Sequence, residues 1–210
     1  VLEAREEDDL SVLWEAWTVP NLGITQSIRP YDIAFGNNIF LAGGRQEKAD
    51  TPVIGDKHLL RSTDGQEWIG INGPEPDLYR WSAIKYGGGR FLLTGVNSIG
   101  TDLWYQTFNG YDFTELIAVN QPTQVQALEY GFGRWVCTTR VKDNPIWISD
   151  DNGVSWQLPQ DASALIGSTG HTFTKIASDG AGQWIALDHR SNEMAFSYDN
   201  GLNWDIKDFD

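Results

Sequence analysis

A single cysteine, Cys137, leaves the chain without a partner for an intrachain disulfide. It lies in the apolar run Trp135-Val136-Cys137, where a small buried hydrophobe is its natural role, and no matched His and acid mark it as a nucleophile. Histidine is scarce too. His58, His171 and His189 are far apart, with neither an i, i+4 pair nor an HExxH spacing, so the sequence offers no metal site and calls for no cofactor. The 15 Lys and Arg are outnumbered by 29 Asp and Glu, giving a formal net charge of −14. Those basic residues are scattered singly, whereas phosphate binding needs them clustered, so nucleic acid is excluded as a partner. The acidity serves solubility or faces a basic partner. No run approaches the ~20 consecutive apolar residues of a membrane-spanning helix, and no signal-peptide pattern is present. A start at Val1 rather than Met raises the expectation of an upstream segment that was removed, cleaved or left out.

Glycine and aromatic residues, by contrast, abound: 22 Gly, 10 Trp, 9 Phe and 7 Tyr. Tight turns joined by aromatic-rich strands suit that composition, and the expected fold class is all-β.

Two patterns alternate along the sequence. The first is a hairpin signature, in which Ser or Thr, then Asp or Asn, then Gly, lead to an aromatic. It reads Ser62, Asp64, Gly65, Trp68; Thr107, Asn109, Gly110, Phe113; Ser149, Asp151, Gly153, Trp156; and Ser197, Asp199, Gly201, Trp204. The closing aromatics are 45, 43 and 48 residues apart. The second pattern is an apolar residue, a Gly- or Asn-rich turn and an aromatic: Ile33 to Phe40, Ile84 to Phe91, Leu128 to Trp135 and Ile176 to Trp184. Such turns supply the positive φ that a tight hairpin demands. Each repeat therefore reads as four short strands, and four strands in ~40–50 residues is the period of a propeller blade.

The hairpin signature resembles the Asp-box, or BNR, repeat Ser/Thr-x-Asp-x-Gly-x-x-Trp. The third and fourth copies match it position for position. The first two are one residue shorter, and the second has Asn for Asp and Phe for Trp. The resemblance runs from about Tyr31 to the C-terminus and implies a β-propeller-type array of about four four-stranded antiparallel blades, of the kind seen in sialidases, sortilin and photosystem II assembly factors. It also implies that the box lies on the rim, away from the usual binding face. Asp64, Asp151 and Asp199 are then turn acceptors rather than general acids, as Asx residues are. Asp150-Asp151-Asn152-Gly153 lacks the alternating ligands and closing Glu of a calcium loop.

The expected organisation is an acidic lead-in and the outer strand of a partial blade over 1–23, then blades over 24–210, at about 29–74, 78–118, 123–160 and 171–210. Trp17-Thr-Val-Pro20 parallels Trp156-Gln-Leu-Pro159, which makes the lead-in resemble the end of a further blade. A leftover strand predicts a larger propeller, or a ring completed by a neighbouring molecule.

Three functions compete. A sialidase-like hydrolase needs a Phe/Tyr-Arg-Ile-Pro motif and converging arginines. Ile28-Arg29-Pro30 is the nearest match and lacks the aromatic and the Ile. Arg80, Arg90, Arg134, Arg140 and Arg190 exist, but Arg90 and Arg134 occupy hairpin-turn slots, which are normally exposed. An assembly chaperone like the photosystem II factors is the second alternative. The reading favoured by the sequence is a non-catalytic scaffold for a protein partner or a surface glycan, with no enzyme activity. Its favoured setting is extracellular, at a cell surface or in a virion such as a phage tail, as a homo-oligomer or part of a larger assembly. Specificity is expected on the long connections Gly44 to Lys57, Gly73 to Arg80 and Asp161 to His171. Tyr79, Trp81, Trp104, Tyr105 and Trp147 fall outside the repeat frame and are either exposed anchors or buried between blades.

Overall fold

A computed structural model describes residues 28–46, 58–160, 165, 172–188 and 193–208. The expected lead-in over 1–23, most of the Gly44–Lys57 and Asp161–His171 connections, and His171, His189 and Arg190 lie outside them.

The described chain forms four antiparallel meanders. The first contains β1 (Ile28–Gly36), β2 (Ile39–Gln46), β3 (Leu59–Ser62) and β4 (Ile69–Ile71), hydrogen-bonded in that order. The second contains β5 (Leu78–Gly87), β6 (Arg90–Asn97), β7 (Asp102–Thr107) and β8 (Phe113–Glu115). The third has β9 (Val125–Gly131), β10 (Arg134–Thr139) and β11 (Ile146–Ser149), and the fourth has β12 (Phe173–Ser178), β13 (Trp184–Asp188), β14 (Glu193–Ser197) and β15 (Asp205–Asp208). In the third sheet the outer position is held by one bridged pair, Ile148 with Gln157. The cause is local: Val119 draws the preceding chain aside by bonding Val154 and Trp156, and Pro159 has no N–H to continue a ladder.

The inner hairpins turn on residues with positive φ. Asn37 and Asn38 (49° and 60°), Gly88 and Gly89 (55° and 83°) and Phe132 and Gly133 (47° and 81°) place two such residues in succession, the type I′ geometry that matches strand twist.

The innermost strands β1, β5, β9 and β12 pack successively on one another. Each hydrophobic core is shared by two consecutive sheets. Leu41, Leu59, Trp81, Ile84, Phe91 and Tyr105 join the first and second; Leu92, Trp104, Leu128, Trp135 and Trp156 join the second and third; Val136, Ile148, Phe173, Trp184 and Trp204 join the third and fourth. Polar contacts follow the same seams. Asp32 on β1 accepts the N–H of Ile84 on β5 (2.8 Å), and Lys85 on β5 pairs with Glu129 on β9 (2.6 Å). Among the described residues no helix is long and apolar enough to cross a membrane.

Candidate functional site

The two ends of the blades have different chemistry. At one end lie the inner hairpins and the signature turns. In the first, Asp64 Oδ1 accepts the N–H groups of Gln66 (2.8 Å) and Glu67 (2.9 Å), while Ser62 Oγ accepts that of Gly65 (2.8 Å). Asn109 receives Tyr111 and Asp112 in the second, Asp151 receives Ser155 in the third, and Asp199 receives Leu202 and Asn203 in the fourth. The backbone N–H groups of Glu67 and Gln66 hold the Asp64 carboxyl below its ordinary range. Burial pushes Asp151 and Asp199 upward, but their Ser and Asn donors outweigh it and the net direction is down. Trp68 and Trp204 close their turns by donating their indole N–H to Gly65 O and Gly201 O, and the Phe113 ring has no N–H to do so.

Asparagines tie this end across the seams. Asn37 donates to Phe108 O (2.9 Å), Asn152 to Gly88 O (3.1 Å) and Asn200 to Phe132 O (3.5 Å). Arg134 corrects an expectation. Its hairpin slot is buried (7 % exposed), because its guanidinium grips Asp150 at 2.5 and 2.9 Å and donates to Asn200 O. Arg90 is half-buried and donates to Gln106. The Oδ1 acceptors of the four signature turns are taken up by backbone N–H groups of the fold.

The aromatic candidates are corrected as well. Trp81 and Trp104 are 1 % exposed and Tyr105 8 %, so none of the three presents a surface. They fill the seams: Trp81 meets Tyr105 edge-on at 6.0 Å, and Trp104 lies 5.2 Å from Trp156 while donating to Pro122 O. Burial and the acids Glu75 and Glu115 push the Tyr105 hydroxyl up to about 12. Trp147 is half-buried and donates to Asn144 O (3.1 Å). Tyr79 is 37 % exposed, with the Arg45 guanidinium 4.3 Å from its ring centroid. It belongs to β5 rather than to the connection expected there.

At the opposite end, the seam between the second and third sheets opens into a polar cleft of about 200 Å³. Arg80, Ser82, Asp102, Gln124, Gln126 and Arg140 supply its polar lining. The strands place these groups through bulges. All four innermost strands slip register at the same point of the repeat, leaving Tyr31, Ser82, Gln126 and Thr174 as the extra residues. β5 slips a second time, at Tyr79, so Arg80 sits between two bulges. Gln124 holds a φ of 54°, uncommon for a residue with a side chain, and its N–H donates to Asp102 Oδ1 (2.9 Å) across the seam. Arg140 Nε donates to Gln126 Oε1 (3.0 Å).

Arg80 differs. Its Nε is buried and has no hydrogen-bond partner among the described residues. An unpaired buried donor costs roughly 1–3 kcal/mol, so the position favours anything that accepts from it. Burial pushes the Asp102 carboxyl upward, while the Gln124 N–H and the Arg80 charge pull it back. The sequence had shown both arginines without bringing them together; their meeting depends on bulges that leave no composition signal.

A second, larger hollow of about 410 Å³ lies on the first sheet, lined by Pro30, Tyr31, Ile33, Ala42, Leu60 and Trp68. Asp32 is the charged residue of this otherwise mostly apolar lining. Among the described residues no three His, Cys, Asp or Glu side chains cluster as metal ligands.

No family model matches the chain, and no curated protein matches it in sequence. Solved structures do match in fold. YCF48 from Cyanidioschyzon merolae superposes with a TM-score of 0.62 at 14 % identity, over 90 % of this chain and 59 % of that one. YCF48 bound to D1 peptide gives 0.56 at 15 %, over 87 % and 56 %. The Niastella koreensis GH74 enzyme gives 0.56 at 14 %, over 83 % of this chain and 24 % of that one. The chain thus spans just over half the length of the YCF48 chains and about a quarter of the GH74 enzyme. The architecture is that of a β-propeller.

Proposed function

We propose that this chain is a non-catalytic β-propeller scaffold, built on Asp-box turns, that binds a protein partner and serves in assembly. The observation that carries this reading is the cleft between the second and third sheets. It presents two guanidiniums, two carboxamides and one carboxylate from rigid strand ends, which is an inventory for recognition rather than turnover. Glycoside hydrolysis needs two positioned carboxyls, or a Tyr nucleophile backed by an acid. Asp102 is the one carboxylate lining the cleft among the described residues, and the acids of the signature turns are committed to backbone N–H groups at the other end. The fold's likeness to YCF48 bound to D1 peptide supports the protein-binding reading. A virion or cell-surface setting belongs to the same proposal and rests on composition.

The test is a pair of assays on the intact chain. Fluorogenic sialosides and other glycosides are expected to give no turnover, while cross-linking with mass spectrometry is expected to return a discrete protein partner. Turnover abolished by Arg29→Ala would replace this reading with the hydrolase. Saturable binding on a glycan array without a protein partner would replace it with a lectin.

A further inference from the structure

We infer that the cleft between the second and third sheets binds the free carboxylate of a peptide, clamped by Arg80 and Arg140. The inference rests on the protein-binding reading above and gives it a chemistry.

Cation excess is the first support. The cleft holds two guanidiniums against one carboxylate, Asp102, in a chain whose formal net charge is −14. A pocket of positive character on an acidic protein selects an anion from a surface that otherwise repels it. Donor inventory is the second. Arg80 Nε is buried and unpaired among the described residues, and a guanidinium offers its N–H groups in a fork that fits a carboxylate with two parallel bonds. Arg140 is exposed and spends Nε on Gln126, which orients the side chain and leaves its terminal nitrogens for a ligand.

The remaining groups discriminate between anions. Asp102 Oδ1 is occupied by the Gln124 N–H, and its other oxygen is not hydrogen-bonded to the described chain. A carboxylate ligand that also carries a nearby N–H can donate to that oxygen. The end of a peptide has both groups in one residue, whereas phosphate and simple carboxylates have no N–H. An acidic sugar is disfavoured for a different reason: among the described residues no aromatic ring lines the cleft, so no flat face is offered to a pyranose. The volume, about 200 Å³, suits one terminal residue.

The experiment follows arginine Nε–H resonances of ¹⁵N-labelled protein during titration with N-acetyl-trialanine as the free acid, its C-terminal amide, and glucuronate. The free acid is expected to shift the Arg80 and Arg140 signals saturably, with the amide and glucuronate at least tenfold weaker. Arg80→Gln and Arg140→Gln should each weaken the acid at least tenfold, and Lys207→Gln, on β15, should leave it unchanged. Arg140 is exposed, so its variant decides the matter even if Arg80→Gln fails to fold. Equal binding of acid and amide, preference for glucuronate, or no saturable shift at either arginine would overturn the assignment. If cross-linking still returns the protein partner from Arg140→Gln at undiminished yield, the cleft assignment falls while the scaffold reading stands.

Discussion

The ring of Tyr86 occupies the place where a β-carbon on Gly36 would stand, its Cγ only 1.9 Å from that point. Gly87 meets Tyr130 in the same way one blade further on, at 2.2 Å, and Gly131 meets Ser178 Oγ at 2.2 Å. One glycine per blade thus admits a side chain from the next. Gly36→Ala and Gly87→Ala should each destabilise the protein by about 1–3 kcal/mol through overpacking at a seam. Urea denaturation followed by tryptophan fluorescence checks this. Gly89→Ala is the contrast: nothing lies within 4 Å of its β-carbon position, but its φ of +83° makes the cost a backbone one.

The signature acids should behave as turn acceptors. Asp151→Ala and Asp199→Ala each release N–H groups that reach solvent, so each is expected to cost about 1 kcal/mol, as loss of a helix cap does. Asp199→Asn should cost less, because Asn109 already fills that role in the second blade with bonds of 2.8 and 2.9 Å. Thermal melts of the three variants decide it, and equal losses for Ala and Asn would contradict the assignment.

Acid should destabilise the fold through these turns. Asp64, Asp151, Asp179 and Asp199 are all held below the ordinary value of 3.8, so their contribution is present above that pH and is lost as pH falls through their folded values. Asp32 and Asp102 are pushed upward by burial, and protonating them relieves a cost. Stability is therefore expected to hold or rise slightly on acidification to about pH 4 and to fall steeply below it. Denaturation midpoints over a pH series measure the profile, and Asp102→Asn should flatten the rise.

Cys137 should be silent. It is completely buried, and burial pushes its thiol well above the ordinary value despite the Trp147 backbone hydrogen bond. A thiol reagent such as DTNB is expected to titrate no thiol in the native protein and one in denaturant.

Much of this architecture could be read from residues. Gly after Asp or Asn, with Trp or Phe closing the turn, located all four outer turns, since a positive φ and a side-chain acceptor are demands that few residue types meet. Burial was harder. Trp81, Trp104 and Tyr105 lie outside the repeat frame, yet they fill the seams between sheets, a relation that only the packing of one blade on another creates. The same holds for Arg134, whose burial depends on Asp150 and on a carbonyl from the next blade. The cleft was illegible because Arg80 and Arg140 are brought to one place by register slips in β5 and β9. A one-residue slip changes which side chain points where without changing the composition of a strand.

The asparagine ties at the turn end each reach just one blade along: Asn37 to Phe108, Asn152 to Gly88, Asn200 to Phe132. A molecule fastened in this manner is a row of like units with like joints, and its cohesion adds up joint by joint. Gene duplication could lengthen such a row by one unit without redesigning any other, because a newcomer brings half of each joint it needs. The same arithmetic confines damage. A lesion in one unit weakens the two joints beside it and leaves distant ones at full strength, so hydrogen exchange should lose protection in a gradient along the row rather than everywhere at once.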